Sequence, residues 1–401
     1  MTVVMSPTKE QLYELLTRGV EKIIVKEHLE KRLLAGDKMR LKLGIDPTGS
    51  DIHIGHMVVL RKLRAFQELG HQVIIIVGDY TARIGDPSGR DKMREPLTRE
   101  QVYENLETYQ KQIGKVLNLD KTQFSYQSEW FDKVNLTDIL EWAGIFTVQQ
   151  MIERDMYKKR IADGHPIGIH EFMYPLMQGY DSVAINADVE FGGSDQEFNL
   201  LIGRTMQEHF KQPPQNILTT SLLVGTDGRK MSKTYNNYIG VLDKPEEMFG
   251  KVMSAIDDII IEYFKLTTDV PLDEIADLER DLKAGLINPR DAKARLAKEI
   301  VKIYHGEIAA VAAAAEFDRI FKNREKPSEM AEFKAVKNDY LLPDLMIAAG
   351  LSKSKADAKR VIEQGGVKID DQIVKDWEKE ITIKAGMILQ VGKRKFVKIG
   401  K

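Results

Sequence analysis

The sequence predicts an α/β protein with a parallel-sheet domain first, a helical domain next and a small α+β domain last. Three observations predict it. Leu41 to Leu43 reads as a short apolar strand that breaks at Gly44-Ile45-Asp46-Pro47 and enters a helix carrying His53-Ile54-Gly55-His56. Val73 to Val77 (VIIIV) is a continuous β-branched run, as expected of a strand buried on both faces of a parallel sheet. Between them Leu60, Leu63 and Phe66 continue the helix, which Gly70 ends. Strand, helix and strand make a right-handed βαβ unit, so the first domain is of Rossmann type.

Composition bounds the rest. The 401 residues are 43% hydrophobic and 30% charged, ordinary for a globular chain with two or three domains. The net charge of -2 excludes a chain-wide polycation. Leu341 to Lys401, however, holds 13 Lys/Arg against 8 Asp/Glu, a net +5, which leaves -7 for the remainder. A basic annex on an acidic body points to one local nucleic-acid contact. Cysteine is absent, so disulfides and thiolate metal sites are excluded, as suits a reducing cytoplasm. No apolar run is long enough to span a membrane, and the expected location is cytoplasmic.

Taken in order, Lys9 to Leu34 repeats apolar positions at three and four (Leu12, Leu15, Leu16, Val20, Ile23, Ile24) and reads as one or two helices. In the turn after the first strand, Thr48, Ser50 and Asp51 can cap the following helix, whose amides would face a phosphate. His53 and His56 fall on one helical face, and Gly55 leaves room between them. Gly78 to Arg90 (GDYTARIGDPSGR) is a loop at the carboxyl end of the second strand, the ligand edge of such a sheet. Helical patterns with loops fill Thr98 to Gly164 and read as an insertion between the sheet's halves. In Phe172 to Asp181 (FMYPLMQGYD), Tyr174, Gln178 and Asp181 are spaced for one helical face. Ala184 to Gly193 reads as a strand and turn, with a helix starting at Ser194-Asp195-Gln196. Gly225 to Asn237 (GTDGRKMSKTYNN) reads as an exposed loop, and Pro245 to Lys322 as helical. Asn323 to Glu332 reads as a linker. The tail reads as helices at 341–349 and 354–363, then strands at 367–369, 381–383 and within 387–399. The expected domains are 1–240 with an insertion at about 90–180, then 241–322, a linker at 323–338, and 339–401.

Two short motifs carry the chemistry. The first is His53-Ile54-Gly55-His56 at the strand-helix turn; the second is Lys230-Met231-Ser232-Lys233-Thr234. Lysines flanking a small hydroxyl residue on a loop can close over a triphosphate as point charges. The pair, in this order, resembles the HIGH and KMSKS signatures of class I aminoacyl-tRNA synthetases. GDYTARIGDPSGR, YPLMQGYD and FGGSDQ, set between them, resemble the bacterial tyrosyl members, and the likeness covers nearly the whole chain.

The resemblance implies tyrosine, ATP and tRNA(Tyr) as substrates, with Mg²⁺ arriving with ATP, no protein-held metal, and a homodimer whose interface includes 127–157. It implies that Asp86, Tyr174 and Gln178 hold the substrate α-ammonium and that Asp181 accepts from the phenol hydroxyl. Gly44, Asp46, Gly55, Gly193, Asp195, Met231, Ser232 and Lys233 would hold ATP, with Asp46 orienting the ammonium or the nucleotide. Gln196 would reach the ribose or the substrate carboxylate. Thr48, His53 and His56, with Lys230, Lys233 and Thr234, would stabilise charge growing on the phosphates. The chain departs from the better-known tyrosyl enzymes at Lys42, where they carry a tyrosine touching the phenol, and at Met231-Ser232, where some carry Phe-Gly. The tail resembles a small RNA-binding module of a ribosomal protein, with Ser352, Lys353, Lys355, Lys359 and Arg360 lining its RNA-facing helix. The rival readings are a tryptophanyl enzyme, against which Asp181 and Tyr174 speak, and a paralogue that only binds RNA, against which the intact histidines and lysines speak.

Overall fold

The computed structural model describes residues 4–47, 49, 52–86, 97–232, 235–322, 330–392 and 395–400. The chain falls into two compact units, Met1–Ala314 and Ala315–Lys401. In the first, α1 (Lys9–Thr17), β1 (Val20–Ile24) and α2 (Lys26–Ala35) precede β2 (Arg40–Ile45), α3 (Ile54–Glu68) and β3 (Gln72–Val77). Then come α4 (Thr81–Ile84), α5 (Arg99–Ile113), β4 (Thr122–Tyr126), α6 (Ser128–Phe131), α7 (Leu136–Gly144), α8 (Val148–Ile152) and α9 (Asp155–Ala162). Helix α10 (Ile169–Ile185), β5 (Val189–Gly193), α11 (Glu197–His209) and β6 (Asn216–Thr220) complete the sheet, α12 (Pro245–Met253), α13 (Ile260–Thr267), α14 (Leu272–Lys283) and α15 (Pro289–His305) follow, and α16 (Glu307–Phe321) runs across the division between the units.

Among the described residues the sheet has six strands in the order β1-β6-β5-β2-β3-β4. All neighbours are parallel except β1, which runs antiparallel to β6. After β2 the chain builds outward through β3 and β4, then crosses back to place β5 on the other side of β2. The crevice beyond β2 and β5 is therefore the topological switch point, where an open α/β sheet receives its ligands. The β3 run is buried from Val73 to Val77, as its composition requires. Helix α3 lays Ile54, Met57, Leu60, Leu63 and Phe66 on the sheet, and Phe66 meets the edge of Phe191 with ring centroids 5.2 Å apart. Burying a side chain of this size stabilises the fold by roughly 1.5–3 kcal/mol.

Three expectations need correction. The stretch Val20 to Ile24 is a strand, not helix: Gly19, at φ +64°, ends the α1 segment, and Ile23 pairs with Leu218. Its 3–4 spacing of Val20, Ile23 and Ile24 imitates a helix, but its β-branched side chains suit a ladder. Strand β4 lies inside the stretch read as helices and loops. Part of the presumed linker is strand β7 (Ala331–Lys334), while 323–329 lie outside the described residues.

In the second unit, β8 (Asp339–Leu341), α17 (Leu342–Ala348) and α18 (Lys355–Glu363) precede β9 (Val367–Ile369), β10 (Gln372–Ile373), β11 (Glu380–Thr382), β12 (Ile388–Val391) and β13 (Lys395–Gly400). The sheet order is β10-β9-β12-β13-β7, with β11 and β8 paired separately. Leu342, Leu345, Met346, Ala358, Ile362, Leu389 and Ile399 form its core. No helix among the described residues is long and apolar enough to cross a membrane.

Candidate active site

A cavity of about 880 Å³ opens at the carboxyl ends of β2, β3 and β5. It brings together Gly44, Asp46, His53, Gly55, His56, Asp86, Tyr174, Gln178, Asp181, Gly193, Asp195, Gln196, Lys230, Met231 and Ser232. These residues span nearly 190 positions of sequence and meet because the sheet gathers its strand ends. Thr48, Lys233 and Thr234 lie outside the described residues.

The cavity's floor is set by α10. Asp181, only 1% exposed, accepts from Gln127 Nε2 at 2.8 Å and from Trp130 Nε1 at 3.1 Å. Burial pushes its carboxyl up to about 7, against the pull of Lys42 and of those two donors. Neither Gln127 nor Trp130 stood out in the sequence. The signal was available in TQFSY, whose strand character puts the following QSEW at the same sheet edge.

Tyr174, two turns earlier on α10, donates its hydroxyl to Asp46 Oδ2 at 3.0 Å, and Thr81 Oγ1 donates to the other Asp46 oxygen at 2.7 Å. Burial and the Asp46 carboxylate push the Tyr174 hydroxyl well above its usual range, so it remains a donor. A side chain on Gly78 would stand 2.0 Å from Asp46 Oδ1, so this carboxylate depends on a glycine behind it. Asp86 accepts from Gln196 Nε2 at 2.8 Å and lies 3.7 Å from Arg154. Asp195 is raised by burial and by the neighbouring Asp86 charge, and Lys230 draws it back.

The opposite wall is a helix start and a loop. His53 is not inside the helix, as its spacing suggested, but is its N-cap, and its backbone N–H donates to His56 Nδ1 at 3.3 Å. The two rings stack at 3.8 Å. A Cβ on Gly55 would sit 3.0 Å from the His53 ring and 3.4 Å from Met231 Sδ, so its smallness lets the two motifs approach. Backbone bonds from Ile54 to Ile239 and from Val241 to Ile52 tie the helix start to the segment after the lysine loop. The described residues of that loop are less exposed than expected: Met231 is buried, and Asn237 bonds Asp227, the Lys230 carbonyl and the Ser232 amide. Lys230 and His56 are exposed.

In the second unit, Lys353 is exposed, whereas the other polar groups of the predicted RNA face already have partners. Ser352 Oγ donates to Asp357, Arg360 pairs with Asp357 at 2.7 Å, Lys355 pairs with Asp344 at 2.6 Å, and Lys359 Nζ lies 3.3 Å from the Trp377 ring centre.

Comparison with known proteins gives concordant results. A family model described as class I tRNA synthetases (W and Y) matches residues 34–322, and a tyrosine–tRNA ligase SYY-like C-terminal domain matches 323–399. The tyrosine–tRNA ligase of Moorella thermoacetica is 48% identical over 390 residues, covering 96% of this chain and 94% of that protein. That of Thermotoga maritima is 48% identical over 395 residues, covering 98% of each. Among solved structures, the Archaeoglobus fulgidus tyrosyl-tRNA synthetase complexed with L-tyrosine shares the fold with a TM-score of 0.62 and 26% identity, covering 76% of this chain and 98% of that one.

Proposed function

Since the chain belongs to the class I tRNA synthetases of the tryptophan and tyrosine group, we propose that it is a tyrosine–tRNA ligase. It activates tyrosine with ATP to tyrosyl-adenylate and pyrophosphate, then passes the tyrosyl group to the terminal ribose of its tRNA. The observation that carries the amino-acid assignment is Asp181. A buried carboxylate lining the cavity, fixed by Gln127 and Trp130, is an acceptor that a phenol satisfies and an unsubstituted ring does not. Tyrosyl enzymes are themselves the standard illustration of this rejection of phenylalanine, so its size is no prediction of ours.

In this reading the substrate carboxylate attacks the α-phosphorus of ATP in line, and no side chain acts as nucleophile. Asp86, Tyr174 and Gln178 receive the ammonium, and the His53–His56 wall donates to the phosphate oxygens as their charge grows. Lys230, with Lys233 and Thr234 of the same motif, stabilises the leaving pyrophosphate, and Mg²⁺ arrives bound to ATP as substrate. Residues 1–240 do the chemistry, 241–322 approach the anticodon, and 339–401, whose sheet β7 completes, bind RNA. The acidic body with a basic tail supports that division. A homodimer through 127–157 is supported by Leu136, Leu140 and Val148, which are 72%, 63% and 65% exposed on α7 and α8. A chain without cysteine suits the reducing cytoplasm.

Amino-acid-dependent ATP–pyrophosphate exchange tests the assignment, with tyrosine, phenylalanine and tryptophan in parallel. Exchange with tyrosine alone is expected; exchange with tryptophan, or with none, overturns it.

A further inference from the structure

Lys42 and Glu190 are directly opposite one another on the adjacent parallel strands β2 and β5, and both are 0% exposed. Neither lines the cavity. Lys42 Nζ pairs with Glu190 Oε1 at 2.9 Å and donates to the Gln178 carbonyl at 2.6 Å and to Ser182 Oγ at 2.7 Å. Its three donors are thereby used. Glu190 in turn accepts from Gln178 Nε2 at 3.2 Å and from Ser182 Oγ at 3.1 Å, and Gln215 Nε2 also donates to it. The pair thus grips the α10 turn from Gln178 to Ser182 at both its main chain and its side chains. That turn carries Asp181.

Stability does not explain such a pair. Removing two charges from water is costly, and apolar replacements of similar volume are often neutral or stabilising. What is unusual is the place: among the described residues the one cavity-lining residue that the pair bonds is Gln178, on the turn that also presents Asp181. We propose that the Lys42–Glu190 pair is a specificity-determining positioning unit. It fixes the α10 turn so that Asp181 meets the phenol hydroxyl while the Gln178 amide oxygen stays available to the ammonium. Lys42 also supplies the strongest favourable charge against the burial of Asp181. Both residues act through Gln178, Asp181 and Ser182 and touch no substrate. This inference rests on the tyrosine reading above.

The test is exchange kinetics of the full chain with tyrosine and with phenylalanine. Absence of tyrosine exchange in the unaltered protein would defeat the reading itself, before any variant is made. Lys42→Met alone strands a buried carboxylate, so the informative variant is Lys42→Met/Glu190→Gln, which removes both charges together. The expected result is a KM for tyrosine raised about tenfold, tyrosine-over-phenylalanine selectivity lowered about tenfold, and a KM for ATP within about twofold of the parent. Retained selectivity, whether activity is full or uniformly reduced, would overturn the proposal and leave the pair a packing element. Should the double variant not fold, Ser182→Ala decides: selectivity is expected to fall by about threefold, from loss of one neutral hydrogen bond. Unchanged selectivity in Ser182→Ala would equally overturn it.

Discussion

On the side of the cavity proposed for the amino acid, Asp181, Gln178, Lys42 and Glu190 are buried on two strands and a helix and are already hydrogen-bonded to one another or to neighbours. On the side proposed for the nucleotide, His56 and Lys230 are exposed and stand at a helix start and on a loop. The difference follows from what each side must read. A phenol differs from a benzyl group by one neutral oxygen, and that difference is large only in a dry site whose acceptor is left unpaired by the wrong substrate. A triphosphate carries several charges, which exposed cations attract across a longer range and which must enter and leave. In the proposed reading, specificity is therefore built into rigid elements, and charge stabilisation into their termini and loops.

Substitutions can break this contrast. The largest effect is expected of Asp181→Ala, where tyrosine kcat/KM should fall by about a hundredfold or more while the KM for ATP holds. Steady-state exchange at varied tyrosine and varied ATP checks this, and a matching loss on the ATP side would dissolve the distinction. Lys230→Ala should do the reverse, lowering the exchange kcat by about a hundredfold with little change in tyrosine affinity. Gln127→Ala should cost about tenfold in tyrosine kcat/KM, since it removes one of two fixed donors to Asp181.

The pH dependence sharpens the contrast. In the free protein the Asp181 carboxyl sits at about 7, above its ordinary 3.8, so protons bind more tightly in the folded state. Tyrosine kcat/KM should accordingly fall as pH drops through 7, with Asp181→Asn losing that limb. For stability the sign is opposite to that of a salt-bridged carboxylate: this group favours the fold below pH 3.8 and progressively opposes it as pH rises to about 7. The smallest effect is in the second unit. Lys353→Ala should weaken tRNA binding and reduce the salt slope by about one, read by binding titrations at several salt concentrations.

Much of this was legible in the residues. β3 declares itself by its β-branched run, and the two short motifs both contribute lining residues to one cavity. Tyr174, Gln178 and Asp181 were readable because helical spacing places them on one face. What was not legible depends on long-range pairing. Val20 to Ile24 has helical spacing and becomes a strand only because β6 is there to receive it. Gln127 and Trp130 reach Asp181 across 54 and 51 positions, respectively, through a strand the local pattern hid. Lys42 reads in the sequence as a missing contact, because nothing local announces that Glu190 will stand opposite it. His53 caps the helix rather than entering it, a one-residue shift that spacing alone does not resolve.

The most direct test of the account is the binding of tyrosine and phenylalanine, without ATP, to the unaltered protein and to Asp181→Ala by calorimetry. The account predicts that the unaltered protein binds tyrosine far more tightly than phenylalanine and that the substitution collapses the difference. Tyrosine preference surviving intact in Asp181→Ala would contradict it, and would move the reading of the phenol away from α10.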